Sequence, residues 1–379
     1  MAYNPAAFEY LVVWSDGRRE GTRGFDVYGR RLSAAGAAVG ADFRISSNAG
    51  KADDLGPAVA YNVTANQYLV VWSDARNAST RGTDIYGRRV SATGTLIGGE
   101  FRISDPGAVG DDCSPAVAHN PNSKEYLVVW EDWRNEGLQG PDVYGQRLSP
   151  TGGAKGTNFR IGDSPGASDE VWPAVAHNPT ANQYLVAWMD ARNGTWDIYA
   201  RRLSAAGGLL AGSTRICAPA ATANEYRPQV AYNPAADEYL VVWSDERNLA
   251  TRLRDIYGRR VSSAGATVGS DIRISSNGAV SHDLQAAVAY NPAADRYLVA
   301  WADKRSYATR GYDIYARRLS GTGAPVTGDF RVTGNGGVAD EEWPAIAYNP
   351  TADQYLVVWQ DYRAETTRGT DIFGRRVAG

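Results

Sequence analysis

One nine-residue element governs what this chain can fold into: Tyr68-Leu-Val-Val-Trp-Ser-Asp-Ala-Arg76 recurs in near-copy seven times. Its tryptophans, Trp14, Trp72, Trp130, Trp188, Trp243, Trp301 and Trp359, are separated by 58, 58, 58, 55, 58 and 58 residues. A fixed period of this kind marks a repetitive fold and overrides the two or three domains that 379 residues would otherwise suggest. The expectation is a single domain built from repeats at about 1–56, 57–114, 115–172, 173–227, 228–285, 286–343 and 344–379.

The second repeat serves as template. Pro57-Ala-Val-Ala-Tyr-Asn62 reads as a short strand, and the turn after it is Asn-Pro-x-Ala-Asp/Asn in most other copies. Leu-Val-Val-Trp is apolar on both faces and too short for a helix, so a strand covered on both sides follows. Asp84-Ile-Tyr-Gly-Arg-Arg-Val-Ser91 alternates with period two, and a turn at Ser91 to Gly94 leads to Phe101-Arg-Ile-Ser104. Four strands per repeat, seven times over, predict an all-β, seven-bladed β-propeller, because small sheets bury their faces only by stacking on neighbours. The final repeat stops at Gly379, before the place of a fourth strand, so the last blade is expected to lack its outer strand. The chain is then either a piece of a longer protein or closes by blade packing alone, as a monomer.

These four-stranded repeats resemble bacterial seven-bladed β-propeller repeat proteins along the whole chain. The resemblance is architectural. The Gly-His and Trp-Asp marks of WD40 repeats, the double glycine of kelch and the Asp box of sialidases are absent, so it implies no catalytic residues.

A net charge of −3 gives no basic field for nucleic acid. No apolar run approaches the ~20 residues of a membrane span, and no signal peptide opens the chain. Secretion or display on a bacterial surface is the expected setting, with any export signal outside this sequence. Only two cysteines are present, Cys113 and Cys217, at non-equivalent places, which excludes a disulfide framework.

Comparing the copies separates scaffold from site. Asp and Arg follow every tryptophan by two and four residues, as Asp74/Arg76 do after Trp72, and an aspartate opens each third strand, as Asp84 does. Sevenfold repetition points to turn caps and ion pairs. Calcium in these loops is the alternative, and the arginine, already matched to two carboxylates, argues against it. A further acid, Asp54, Asp112, Glu170, Glu225, Asp283 or Glu341, lies three residues before the proline position of a first strand; it reads either as a partner for the arginine of a nearby Asp-x-Arg or as part of a carboxylate ring near one mouth of the propeller, which would bind a cation or polar ligand.

Three positions per repeat vary freely and fall on one loop face. Every tryptophan outside the seven lies at one of them: Trp133, Trp172, Trp196 and Trp343. With Arg227, Glu246, Arg254 and Tyr362 they form the candidate ligand site, since flat aromatic faces suit the apolar patches of sugar rings. His119 and His177 replace first-strand tyrosines, and His282 alone lies in a connection. The leading expectation is a non-catalytic binding or display module that recognises glycan, with no cofactor. The alternatives are a carbohydrate-active enzyme, with Glu246 and Glu342 as its carboxylates, and a purely structural repeat.

Overall fold

The computed structural model describes residues 1–379 except 48–51, 136–139, 165, 167, 219–222, 277–280, 335–338 and 364–368. The second repeat forms four antiparallel strands in sequence order, Asp54–Asn62, Gln67–Asp74, Asp84–Ser91 and Leu96–Arg102. The helices among the described residues are single turns, at Glu20–Arg23, Leu249–Arg252 and Tyr307–Arg310.

Seven separate four-stranded blades are not what the hydrogen bonding gives. The described strands make six sheets: four of four strands, one of eight and one of three. The large sheet spans the fifth and sixth repeats, because Leu253–Ser262 pairs in parallel with Ser281–Asn291 at Leu253↔Ser281 and Arg254↔His282. The three-stranded sheet is the last, with Glu341–Asn349, Gln354–Asp361 and Asp371–Ala378.

The chain divides into two compact units, Met1–Arg192 with Arg201–Ser213, and Asn193–Ala200 with Thr214–Gly379. In the first unit the second strand explains why its apolar run is continuous. Tyr68, Val70 and Trp72 pack on Leu11, Val27 and Ile45 of the repeat before, while Leu69 and Val71 pack on Tyr126, Val128 and Trp130 of the repeat after. The second unit repeats the arrangement, with Tyr297, Val299 and Trp301 against Leu240, Val242 and Ile256, and Leu298 and Ala300 against Tyr355, Val357 and Trp359. Such burial is worth about 1.5–3 kcal/mol for each large aliphatic side chain.

In several repeats the Asn that ends the first strand ties turn to turn. Asn120 Oδ1 accepts the Asn122 and Ser123 N–H groups, closing its own turn, and its Nδ2 donates to Asn182 Oδ1 at 2.9 Å. Asn291 does the same in the second unit, donating to Asp353 Oδ1 at 2.8 Å. Side-chain capping of this kind makes Asn a turn residue with a mechanism.

Candidate functional site

The repeated polar residues interlock. Trp72 Nε1 donates to Asp74 Oδ2 at 3.2 Å, Arg76 donates its N–H and Nε to Asp74 Oδ1, and the guanidinium lies 4.1 Å from the Tyr86 ring centroid. A terminal nitrogen of the same arginine also reaches Glu100 at 2.7 Å. The third-strand Asp84 pairs instead with the fourth-strand Arg102, at 2.7 Å. The carboxylates a calcium ion would need are thus already matched by guanidinium groups.

The first-strand acids Asp54, Asp112, Glu170, Glu225, Asp283 and Glu341 are all buried, and Glu170 and Glu341 lie 3.4 Å from Arg192 and Arg363, the arginines of their own repeats' Asp-x-Arg. Each faces its second-strand aspartate across the ladder, as Asp112 faces Asp132. Trp130 Nε1 donates to both carboxylates of that pair, at 3.1 and 3.2 Å. Burial, then the negative charge of Asp132, pushes Asp112 up to about 8, and the same two causes bring Asp54 to about 8. Such acids hold protons near neutral pH.

One variant of this cluster has the makings of a metal site. Ligand atoms of Asp197, Cys217 and Glu225 lie within 4.8 Å of one another, all buried. Cys217, however, stands where other repeats carry Ser: its Sγ accepts the Ile198 N–H as Ser46 Oγ accepts that of Val27 and Ser104 Oγ that of Ile85. Arg215 pairs with Asp197, and burial followed by the Glu225 charge raises the Cys217 thiol. The cluster thus shares the hydrogen-bond arrangement of its serine counterparts.

The loop face is assembled by backbone bonds that bring the variable positions together. Glu246 N–H donates to Asn224 O, Lys304 N–H to His282 O and Tyr362 N–H to Asp340 O. The Trp196 carbonyl accepts Glu225 N–H, and that of Tyr312 accepts Glu341 N–H. Each fourth-to-first connection is therefore held between two second-to-third loops.

The positions before the first-strand proline site, which look unconstrained in sequence, carry a backbone constraint. Gly56, Ser114, Trp172, Arg227, Gln285 and Trp343 all have φ between 51° and 60°. Each sits where the ladder shifts register, as between Glu342 and Ala345. This left-handed bulge costs a side-chain-bearing residue roughly 1–2 kcal/mol and re-aims what it carries. The glycine at position 56 is the sequence signal for it. Strain held at such places is a pointer to function.

In the second unit these features converge. Glu246 accepts from Asn224 Nδ2 at 3.0 Å, Tyr226 Oη at 3.2 Å and Arg254 Nε at 2.8 Å, and pairs with an Arg254 terminal nitrogen at 2.6 Å. Asn224 Oδ1 also takes the Trp196 N–H at 3.1 Å, which joins Trp196 to this cluster. Arg254 lies 4.6 Å from the Tyr226 ring centroid, and Lys304 Nζ 4.0 Å from that of Tyr307. Arg227 lies 4.2 Å over the Trp343 ring, and Trp343 N–H donates to Gln285 Oε1 at 2.8 Å. Asp340 Oδ1 accepts the Tyr312 N–H, and its carbonyl the Tyr362 N–H.

The two glutamates are pushed in opposite directions. Burial alone would raise Glu246, but the hydrogen bonds from Asn224 and Arg254 and the Arg254 charge outweigh it and hold the carboxyl below its ordinary value. Burial, then the Asp340 charge, raises Glu342 against the pull of Arg227. Tyr312 feels the charges of both Glu342 and Arg254.

Of the eight candidate residues, Trp196, Glu246 and Arg254 share one hydrogen-bonded cluster, Arg227 stacks on Trp343, and Tyr362 is tied to Asp340. Trp133 and Trp172 belong to the first unit, where Trp172 N–H donates to Glu131 Oε2 at 3.1 Å. Asn224, Tyr226, Lys304 and Tyr307 escape sequence reasoning as site residues. For Lys304 the signal was present, a lone lysine in a variable slot of an arginine-rich chain. His119 and His177 pack 5.2 and 5.0 Å from Tyr126 and Tyr184, as the first-strand tyrosines do, and burial pushes both to about 4.

No protein-family model and no curated protein matches the chain. Solved structures match it in fold. The α-L-arabinofuranosidase Arb93A of Fusarium graminearum, solved with an iminosugar inhibitor, aligns with a TM-score of 0.57 at 12% identity over 85% of this chain and 93% of its own. The α-L-arabinanase of Penicillium chrysogenum complexed with arabinobiose gives 0.58 at 11% over 86% of this chain and 93% of its own. Puromycin hydrolase gives 0.59 at 11% over 98% of this chain and 53% of its own, so this chain spans about half of that protein. The shared fold is an all-β propeller of four-stranded antiparallel blades. Against the expectation of a non-catalytic binding or display module, two of these neighbours are by name carbohydrate-active enzymes.

Proposed function

We propose that the chain is a carbohydrate-active hydrolase whose site lies on the loop face of its second unit, with Glu246 as the ionised carboxylate and Glu342 as the proton donor. Glycosidic cleavage needs two carboxyl groups in different protonation states, one to protonate the leaving oxygen and one to act as base or nucleophile. The observation that carries this reading is the opposite treatment of the two glutamates, Glu246 held by Arg254, Asn224 and Tyr226, Glu342 half-buried and under the charge of Asp340. Trp343 supports it. Half exposed, with Arg227 over its ring, it offers a flat surface on which a sugar can stack. We further infer one blade per repeat, seven in all, the eight-stranded sheet being two blades joined by the two-residue parallel contact.

The test is sugar release from arabinan, arabino-oligosaccharides, sialosides and a set of aryl glycosides. Glu246→Gln and Glu342→Gln should each lower kcat by roughly 10²–10⁴. With Glu342→Gln the loss should shrink on dinitrophenyl glycosides, whose leaving group needs no proton. An unmodified chain that releases nothing from any substrate would end the hydrolase reading, and turnover untouched by both substitutions would end this choice of residues.

A further inference from the structure

Four positions of the second unit carry a base where other repeats carry an acid or no charge. His282 stands where Asp53, Asp111, Asp169 and Asp340 stand in their repeats. Lys304 takes the slot of Gly17, Ala75 and Ala191, Arg254 that of Phe25, Thr83 and Trp196, and Arg227 that of Gly56, Ser114 and Gln285. The fold demands none of these bases, since the other copies form the same strands without them. Strand pairing nevertheless gathers them. Leu253–Ser262 and Ser281–Asn291 meet at Arg254↔His282, the His282 carbonyl accepts the Lys304 N–H at 3.1 Å, and Ser281 Oγ accepts it as well at 3.0 Å. The backbone at this junction is strained. Leu253, just before Arg254, keeps φ at 66°, where Gly24, Gly82, Gly140, Gly311 and Gly369 stand in other repeats with φ between 73° and 87°.

The charges are not equally committed. Arg254 is paired with Glu246 at 2.6 Å, and Arg227 lies over the Trp343 ring. Lys304 pairs with no carboxylate among the described residues. Its Nζ lies 4.0 Å from the Tyr307 ring centroid and 5.4 Å from that of Tyr312, and those two rings meet edge to face at 5.7 Å. Ring faces attract an ammonium without neutralising it. Tyr307 is exposed and Lys304 half-buried, so the cation is oriented yet within reach of a ligand. Burial, then the charges of Arg254 and Lys304, lowers His282, and Tyr312 feels the charges of Glu342 and Arg254, which places the cations and both glutamates in one locality. An unmatched ammonium beside two carboxyl groups offers a neutral sugar an ordinary hydrogen bond. To a carboxylate it offers a charge-assisted one, roughly twice as strong.

Resting on the hydrolase reading above, we propose that the glycan taken at this site is acidic, and that Lys304, held against Tyr307 and Tyr312, binds the carboxylate of a uronic or sialic acid residue. Arg227 and Arg254 add a field of the same sign. Glu246, already answered by Arg254, does not cancel it.

The experiment is isothermal titration calorimetry of the full chain at low salt with the methyl glycosides of glucuronic, galacturonic and N-acetylneuraminic acid. Each is run beside its own methyl ester, which has nearly the same shape and no charge, and galactose 6-sulfate is the control for any anion. At least one acid should bind roughly tenfold more tightly than its ester. Lys304→Met should remove that preference with the Tm unchanged, because no ion pair of the fold is lost, and Lys304→Arg should keep it. Binding of neither form, acid and ester binding alike, a preference that survives Lys304→Met, or affinity for the sulfate alone would overturn the proposal. Sugar release by the same chain is scored separately. Acid binding through Lys304 without release from any substrate would support the acidic site and end the hydrolase reading, whereas release from neutral glycosides alone would sustain the hydrolase and overturn the acidic site.

Discussion

Replacing Asp112 with Asn should make the protein more tolerant of alkali. In the folded chain Asp112 is 4% exposed, shares the Trp130 indole N–H with Asp132, and is pushed to about 8 by burial and by its neighbour's charge. Unfolded, it titrates near 4 like any aspartate. Between those two values the folded state keeps a proton that the unfolded state has lost. Stability therefore falls as pH rises from about 4 and levels off above about 8, at about 1.4 kcal/mol per pH unit for this one proton. Over the whole window the loss reaches roughly 4–6 kcal/mol if Asp112 titrates alone. Asparagine mimics the protonated acid: it is neutral, it has the same size, and its amide can donate to Asp132 as the acid proton does. Asp112→Asn should match the parent near pH 5 and exceed it by several kcal/mol at pH 8.5, read as unfolding midpoints in guanidinium by tryptophan fluorescence. Asp105→Asn, at an exposed carboxylate, serves as control. A stability difference between Asp112→Asn and parent that stays constant from pH 5 to 9 would refute the reasoning.

Other predictions follow from the scaffold and the bulges. Gly56→Ala isolates the cost of the left-handed backbone, because the added methyl meets nothing within 4 Å at φ +60°, and should cost about 1–2 kcal/mol in chemical denaturation. Trp130→Ala, at a fully buried position, should cost about 3–5 kcal/mol, whereas Trp343→Ala should leave the midpoint almost unchanged while it lowers turnover. A chelator should leave Tm unmoved, since Asp74, Asp132, Asp190 and their equivalents already hold arginine at about 2.5 Å.

The repeat, the strand order and the roles of the sevenfold residues are legible in the sequence because each is written seven times. Trp72, Asp74 and Arg76 announce their interdependence by never varying separately among the copies. The first-strand acids are misread for a physical reason. Asp54 and Asp74 are twenty residues apart in sequence, and only the ladder register shows that one carboxyl faces the other inside the sheet. The number of separate sheets is hidden likewise, because a two-residue parallel contact at Arg254 and His282 merges two repeats without changing the period. At the site, Trp196, Glu246 and Arg254 can be picked as departures from the pattern. Tyr226, which helps position Glu246, cannot, because other repeats carry varied residues at its place, whereas Asn224 is a departure from the aspartate of Asp53, Asp111, Asp169 and Asp340 that could have been picked. The cost of Trp343's backbone conformation is invisible without coordinates.

The two-faced second strand has a consequence for how such a chain can change over generations. Each copy offers Tyr, Val and Trp to one neighbour and Leu and Val to the other, so a 58-residue segment gained or lost by unequal recombination leaves its new neighbours with contacts they already know. Length is therefore cheap to alter. The loop face is not, because Glu246 and Glu342 each occur once, and a crossover that drops either repeat removes a group no other copy can replace.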